Sequence, residues 1–252
     1  MNRQAQCSRI AYANSCHSCR LNEHTVIINI YTICMLTQVT IFGERCSGTN
    51  YLEELIVTNF DVQIVSPYCH KHFFGFNEYT NSEDVLCIGI IRNITDWVNS
   101  LYREKHHLPK SLTENVDTFL KNEMYSIDLH GTEIMEDRNI ETKERYKNIF
   151  ELRHIKNRFL IETAPKLLKH YLRITYDELL VDFTGVMNQI KNCNIPVKYN
   201  IEFPINITYY KKEKHTIFTK KQNEIPEHTI LEKANLLYET SLFPNVNMFN
   251  TI

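Results

Sequence analysis

Apolar runs of two kinds alternate along the middle of the chain. Residues 37–42 (TQVTIF) and 85–91 (VLCIGII) are short and almost continuously apolar, as in strands of a parallel sheet that is covered on both faces. Between them, in LEELIVTNF at residues 52–60, apolar side chains recur at helical spacing. The pattern therefore predicts a buried strand, a helix and a central strand in this order.

The same pattern predicts elements along most of the remaining chain. They are a short strand at 62–65, a helix capped by Asn93 or Thr95 and ended by Pro109, helices at 112–125 and 142–162, a strand at 170–176 and a helix at 177–192. Strands that alternate with helices imply a parallel sheet with right-handed crossovers. We therefore predict an α/β domain of three layers with a central parallel sheet.

The composition is that of a domain without a strong overall charge. The chain has 252 residues, of which 43% are hydrophobic, and its formal net charge is −2. Such a charge predicts no general attraction to nucleic acid or to an anionic membrane, and we expect no signal peptide or membrane span. Our prediction is a cytoplasmic protein with a poorly structured extension at 1–34 and the α/β domain at 35–252.

The cysteines favour reduced thiols over a disulfide framework, because the eight of them are irregularly spaced and several lie in apolar runs. Cys16 and Cys19 form a single C-x-x-C near Cys7, His17 and His24. A zinc site is one interpretation of this group. A mobile extension without metal is the other, since a second cysteine pair at standard spacing does not follow.

The segment GERCSGTN, residues 43–50, connects the first predicted strand to the first predicted helix. The N–H groups of such a loop and the dipole of the following helix attract an anion. Gly43 and Gly48 have the spacing of P-loop glycines, but no lysine follows the second one. The alternative is a tight turn in which Gly48 only supplies a positive φ. Further donors and a positive charge come from Ser47, Thr49, Asn50 and Arg45.

A second candidate for anion binding follows the predicted central strand. Arg92 stands where that strand ends, and Ser100 lies two helical turns further on. Open α/β sheets bind ligands at the carboxyl edge of the strands, and an arginine with a hydroxyl suits a phosphate monoester. The alternative is an ion pair between Arg92 and a local acid such as Asp96.

Taken together, these segments resemble the PAPS-dependent sulfotransferase family. The opening GERCSGTNYLEELI is similar to the family's G-x-R-K-G-G-T-R-x-L-L-x-x-L segment, and IRNITDWVNSLYREKH is similar to R-N-P-x-D-x-x-x-S-x-Y. A third segment, ITYDELLVD at 174–182, resembles the family's Y-E-D-L/M segment. The resemblance covers about residues 37 to 190 and implies the P-loop-like sulfotransferase architecture.

The resemblance implies PAPS as the sulfuryl donor, adenosine 3′,5′-bisphosphate as the product and no metal ion. It implies a small-molecule or carbohydrate acceptor with a hydroxyl or amine group. The 3′-phosphate would lie against Arg92 and Ser100, and the adenine near Tyr176. The donor's 5′-phosphosulfate would be bound by the loop residues Arg45, Cys46, Ser47, Gly48, Thr49, Asn50 and Tyr51.

The family places its general base between the two phosphate segments, and here CHKHFF at 69–74 lies between them. His70 and His72 are both candidates, because a neutral imidazole can take a proton from an acceptor near neutral pH. Lys71 lies between them in the sequence. If the segment is a strand, both histidines face one side and Lys71 faces the other.

One position departs from the family pattern. A lysine, or in some branches an arginine, normally precedes the S/G-G-T of the loop, and here that position is Cys46. Arg45 or Lys71 would then supply the charge, or the protein binds the nucleotide without transfer. A nucleophilic Cys46 is a further idea, because a helix N-terminus lowers the pKa of a thiol.

The family's R-K-G segment near the C-terminus is also not visible in this chain. Its substitutes would be Lys211, Lys212 and Lys214, or Lys220 and Lys221, unless these lysines only form a solvated basic loop. Two alternatives to a sulfotransferase stay open: a non-catalytic nucleotide- or glycan-binding descendant of the family, and a P-loop nucleotide kinase.

Overall fold

The structure is a computed structural model that describes residues 35–76, 78–80, 82–199, 202, 204–207, 209–210, 215–216, 222–234, 239 and 242. All of them belong to one compact unit that spans residues 34–252. The predicted extension at 1–34, with Cys16 and Cys19, lies outside the described residues, as do the lysines at 211, 212, 214, 220 and 221. What the sequence predicts for those residues stays a prediction.

A parallel sheet forms the centre of the described chain. Its strands are β1 (Gln38–Phe42), β2 (Gln63–Ile64), β3 (Val85–Ile91) and β4 (Tyr171–Thr175), in the order β2-β1-β3-β4. The register pairs Phe42 with Gly89 and Ile91 with Thr175. Because these strands are parallel, the carboxyl ends of β1, β3 and β4 lie at one edge of the sheet.

Helices connect and cover the strands. They are α1 (Thr49–Asn59), α2 (Ile94–Arg103), α3 (Val116–Lys121), α4 (Ile149–Arg158), α5 (Ala164–Leu167), α6 (Tyr176–Val181), α7 (Phe183–Asn192) and α8 (Glu227–Leu231). One π-helical turn, Phe159–Thr163, joins α4 to α5. A separate antiparallel pair is formed by β5 (Tyr209–Tyr210) and β6 (His215–Thr216).

Both faces of the sheet are buried, as the continuous apolar pattern of β3 predicts. Ile88 and Ile90 face the core that includes side chains of α1 and α7. Cys87 and Ile91 face a second core that includes the π-helical turn. A third core lies beneath α2, α3 and α4. The predicted three-layer α/β fold with a parallel sheet is therefore confirmed.

Three predicted helices are shorter or more divided in the structure. The helix predicted at 112–125 is the six-residue α3, because the Asn115 side chain accepts from Thr118 N–H and caps it there. The helix predicted from 142 begins only at Ile149, where Asn148 is the cap. The helix predicted at 177–192 is two helices, since the Asp182 side chain accepts from Gly185 N–H and starts α7. Short polar side chains cap helices in this way.

Other boundaries differ by a few residues. α2 ends at Arg103, before the short 3₁₀ turn Lys105–His107, so Pro109 does not end it. Asn93 is its cap and Thr95 is not. The strand predicted at 170–176 ends at Thr175, because the Thr175 side chain and Glu178 form a capping box. Tyr176 is therefore the first residue of α6 and lies at the carboxyl edge of the sheet.

Candidate functional site

The loop between β1 and α1 has the backbone of an anion site. Cys46 has a φ of +65° and Gly48 a φ of +95°, and left-handed residues within such a loop turn successive N–H groups toward one concave side. The first N–H groups of α1 have no intrahelical acceptor, as at every helix N-terminus. These N–H groups and the dipole of the eleven-residue α1 favour a negatively charged ligand.

Tyr176 packs directly against this loop. A Cβ atom added to Gly48 would lie 2.3 Å from Cδ2 of the Tyr176 ring, so glycine is required there both for its φ and for the approach of the ring. The Tyr176 ring also contacts Tyr51 edge-on, with 6.3 Å between the ring centroids. The structure therefore brings the late aromatic residue and the early loop together.

Arg92 contacts both the loop and Tyr176. Its Nη1 donates to the carbonyl of Cys46 at 3.0 Å, and its Cζ lies 4.6 Å from the centroid of the Tyr176 ring. Its Nε is buried and has no hydrogen-bond partner among the described residues. The Asp96 carboxylate accepts from the side-chain amide of Asn93 and not from Arg92, and Asp96 N–H donates to the Asn93 side-chain oxygen. The structure therefore does not support the local ion pair.

The side chains of Ser100 and Cys46 contact each other. The Ser100 hydroxyl is hydrogen-bonded to the Cys46 thiol, and burial of the thiol raises its pKa to about 11 despite that bond. The thiol is therefore protonated at neutral pH, which disfavours Cys46 as a nucleophile. The thiol also packs against the core beneath α2, so the side chain at the family's lysine position points into the protein interior.

The candidate bases lie in a series of turns and not in a strand. Phe73 N–H donates to the carbonyl of His70 at 2.8 Å, so strand alternation does not apply to this segment. The two histidine rings are nevertheless close, with 5.1 Å between their centroids. Partial burial and the charges of Lys71 and Arg45 lower the pKa of His70 below 6.5.

His72 is fastened to the loop. Its Nδ1 lies 2.7 Å from the carbonyl oxygen of Gly43, and because a carbonyl only accepts, Nδ1 carries the hydrogen and Nε2 is the basic nitrogen. Burial lowers the pKa of His72 well below 6.5, and the nearby charge of Arg45 lowers it further. His72 is therefore neutral near pH 7, in the tautomer that a general base requires.

Lys71 lies beside the first turn of α1. Its Nζ is 3.0 Å from both carboxylate oxygens of Glu53 and donates to the side chain of Asn50. Its backbone carbonyl accepts from Gly43 N–H at 3.1 Å. The N–H and the carbonyl of Gly43 thus both form hydrogen bonds that join the loop between β1 and α1 to the turns that contain the histidines.

Arg45 belongs to a buried group of four charged side chains. It forms an ion pair with Asp137, whose other carboxylate oxygen binds Lys156. Lys156 also lies 2.9 Å from Glu44 and donates to the carbonyl of His72 at 2.8 Å. Lys156 and Asp137 are at most 1% exposed, so pairing is necessary for both. Lys156 therefore pairs with two acids and is enclosed in the interior.

Several residues that shape this site were not identified from the sequence. Trp97 Nε1 donates to the carbonyl of Arg45 at 2.8 Å, and Asp177 accepts from the backbone N–H of Asn93 at 2.9 Å. Asp177 therefore fastens the turn after β3 to the start of α6. Its position next to Tyr176 was the available indication, whereas nothing near Asp137 in the sequence indicates a contact with Arg45.

No group of three or more His, Cys, Asp or Glu side chains in the described part of the chain is placed to hold a metal ion. None of the helices described there has the length and apolarity needed to cross a membrane.

Comparison with known proteins gives a structural similarity alone. No protein-family model and no curated protein matches the sequence. Solved structures that match include the mouse sulfotransferase SULT7A1 complexed with PAP, with a TM-score of 0.36 and 15% sequence identity. That match covers 64% of this chain and 58% of the mouse chain, so it spans less than two thirds of that protein.

The contact between Gly48 and Tyr176 predicts the effect of a single methyl group. We expect Gly48→Ala to lower the free energy of unfolding by about 2–4 kcal/mol, from the positive φ and from displacement of the ring. Gly131→Ala is the matched control, because Gly131 has a φ of +82° and no atom within 4 Å of an added Cβ. Urea unfolding measures both. Equal losses in the two variants would contradict the packing of Tyr176 on the loop.

His107 predicts a loss of stability in acid. It lies close to Arg45 and Asp137, and burial, together with the charge of Arg45, lowers its pKa to about 3. Since the folded pKa lies below the unfolded value of about 6.5, His107 stabilises the fold above pH 6.5 and this stability is lost as the pH falls.

Between pH 7 and pH 4 this difference corresponds to about 3 kcal/mol. We expect His107→Gln to reduce the fall in unfolding free energy over that range, as measured by urea unfolding at each pH. The exposed neighbour His106 provides the control variant His106→Gln, which should leave the slope as in the wild type. A His107→Gln slope identical to that of the wild type would contradict the prediction.

Proposed function

We propose that the protein binds PAPS and transfers its sulfuryl group to a hydroxyl or amine of a small-molecule or carbohydrate acceptor. The observation that supports this most is the state of Arg92, whose buried Nε has no acceptor in the described chain although Nη1 is bound to the loop. A buried donor without a partner costs about 1–3 kcal/mol. A phosphate oxygen at this position removes that cost.

The residues around Arg92 fit a nucleotide with two phosphate groups. Arg92 and Ser100 would bind the 3′-phosphate, since a guanidinium and a hydroxyl both donate to phosphate oxygens. The N–H groups of Cys46, Gly48, Thr49 and Asn50 would bind the 5′-phosphosulfate, whereas Ser47 N–H already donates to the carbonyl of Glu44. Tyr176, which packs on Gly48 and beneath Arg92, would lie near the adenine. PAPS would supply an activated sulfuryl group, with adenosine 3′,5′-bisphosphate as the product.

His72 is the general base in this proposal. Its Nδ1–H is held by the carbonyl of Gly43, which leaves Nε2 to accept the proton of the acceptor group. The backbone of His72 is held as well, because Lys156 donates to its carbonyl. His70 has an exposed ring in contact with Phe73 and His72, and it would line the acceptor side.

Lys71 is the better of the two substitutes for the lysine that Cys46 replaces. Its ammonium group lies beside the first turn of α1, where it is hydrogen-bonded to Asn50. The guanidinium of Arg45 is instead paired with the buried Asp137. Lys71 is also paired, with Glu53, but that pair is more exposed than the pair of Arg45 with Asp137. In this proposal Lys71 therefore supplies charge beside the α1 N-terminus, and Arg45 contributes by keeping His72 neutral.

A protein that binds the nucleotide without transferring sulfate is the second candidate. The observation that favours it is the orientation of Cys46, whose thiol is buried against the core beneath α2 and brings no charge to the loop. The two functions share the nucleotide site and differ in transfer, so they are separated by a transfer assay.

Nucleotide binding is predicted to depend on Arg92. We expect calorimetric titration to show binding of adenosine 3′,5′-bisphosphate, and Arg92→Ala to weaken it at least about 10-fold, because a charge-assisted phosphate contact is worth about 1.5–3 kcal/mol. Arg158→Ala is the control, since Arg158, the last residue of α4, pairs with Glu141. Absence of binding by the wild type, or equal binding by Arg92→Ala, would contradict the proposed function.

Sulfate transfer is predicted to depend on His72 more than on His70. With radiolabelled PAPS and a panel of sugars, phenols and amines, we expect His72→Ala to lower kcat/KM by about 10²–10⁴-fold. His70→Ala is the matched control and should have a much smaller effect. Because the pKa of His72 lies well below 6.5, the acid limb of the wild-type pH profile should also lie below pH 6.5.

A His72→Ala variant with wild-type kcat/KM would contradict the assignment of the base. A wild type that binds the nucleotide but transfers no sulfate to any acceptor would favour the second candidate.

A further inference from the structure

Arg153, on α4, is a buried arginine that the proposed chemistry does not use. Only 2% of its side chain is exposed. Its Nε and Nη2 each donate to one carboxylate oxygen of Glu239 at 2.7 Å, which is the bidentate geometry of the strongest arginine–carboxylate pairs. The partner comes from 86 residues further along the chain.

Arg153 also holds the backbone from which the proposed phosphate-binding arginine extends. Its Nη2 donates to the carbonyl of Arg92 at 2.9 Å. The turn after β3 is thereby fixed from the side of α4, while Asp177 fixes the next residue, Asn93, from the side of α6. The position of the Arg92 side chain depends on both contacts, because its Cα lies between the end of β3 and this turn.

The same guanidinium contacts the residue that fastens the loop. The Cζ of Arg153 lies 5.2 Å from the centroid of the Trp97 ring, and Trp97 Nε1 donates to the carbonyl of Arg45. Arg153 therefore touches the supports of both proposed phosphate-binding segments, although it is itself enclosed. A guanidinium at such a point needs a carboxylate to fix its plane and to offset its buried charge.

Glu239 supplies that carboxylate from the C-terminal part of the chain. Glu239 is 3% exposed, and Leu242, three residues later, packs in the core that includes the π-helical turn. Upstream, Asn99 on α2 binds both the N–H and the carbonyl of Ile225. The C-terminal part of the chain is thus attached at several described positions to the elements that form the candidate site.

We propose that Arg153 and Glu239 are positioning residues for the 3′-phosphate site, through which the C-terminal part of the chain sets the affinity for the nucleotide. This role rests on the proposed function. Glu239 fixes the plane of the Arg153 guanidinium, and Arg153 holds the Arg92 carbonyl so that the Arg92 side chain stays between Cys46 and Tyr176. Loss of the Glu239 charge releases Arg153 and lets the turn that contains Arg92 shift.

The 3′-phosphate distinguishes this role from a purely structural one. Two titrations are compared, one with adenosine 3′,5′-bisphosphate and one with adenosine 5′-phosphosulfate, which lacks the 3′-phosphate. The dissociation constant of the 5′-phosphosulfate divided by that of the bisphosphate is a ratio that reports on Arg92, and it falls when the 3′-phosphate contact is lost. We expect Glu239→Gln to weaken binding of the bisphosphate about 10-fold and binding of the 5′-phosphosulfate less than about 2-fold. A general loss of stability would weaken the binding of both nucleotides equally.

Glu133→Gln is the matched control, because both carboxylate oxygens of Glu133 also accept from one arginine, Arg145, but in the segment between α3 and α4. It should leave the ratio unchanged. Should Glu239→Gln not fold, the paired variant Arg153→Met/Glu239→Met removes both charges and is expected to lower the ratio in the same way.

The outcomes separate the two proposals. A wild-type ratio in Glu239→Gln or in the paired variant, together with a lowered ratio in Arg92→Ala, would overturn the positioning role and leave the proposed function intact. A wild type that does not bind the bisphosphate would contradict the proposed function itself, and the positioning role with it.

Discussion

The parallel register of β1, β3 and β4 is the constraint on which the candidate site depends. Phe42 lies opposite Gly89 and Ile91 opposite Thr175, so the loop after β1, the turn after β3 and the start of α6 all emerge at one edge of the sheet. Residues far apart in the chain therefore meet there: Gly48 contacts Tyr176, and Arg92 contacts Cys46. A shift in this register would separate the two proposed phosphate contacts.

Buried charges hold this edge in place. Asp137 and Lys156 lie beneath the loop and connect it, through Arg45 and the carbonyl of His72, to the turns that contain the candidate base. Removing one partner of such a group leaves an uncompensated charge in the interior. The loop and His72 are therefore positioned by the same interactions, which is the preorganisation that a group-transfer site needs. The charge that Cys46 does not provide is left to Lys71 at the loop surface.

Patterns within short stretches of sequence predicted the strands and helices that depend on residues close together in the chain. The apolar run of β3 and the helical spacing in α1 indicated the three-layer fold. The break at Asp182 and the late start at Ile149 were missed because a single capping side chain outweighed a continuous helical pattern. No pattern in the sequence near Arg45 or near Asp137, which lies 92 residues away, indicates that the two side chains are in contact.

The edge formed by the loop, Arg92 and Tyr176 is proposed to be a site for a nucleotide with a 3′-phosphate. A crystal structure of the protein with adenosine 3′,5′-bisphosphate tests this proposal. We expect the 3′-phosphate in contact with Arg92 and Ser100, the 5′-phosphate on the N–H groups at the start of α1, and an acceptor oxygen for the Nε of Arg92. A nucleotide bound elsewhere, or one whose 3′-phosphate makes no contact with Arg92, would contradict it.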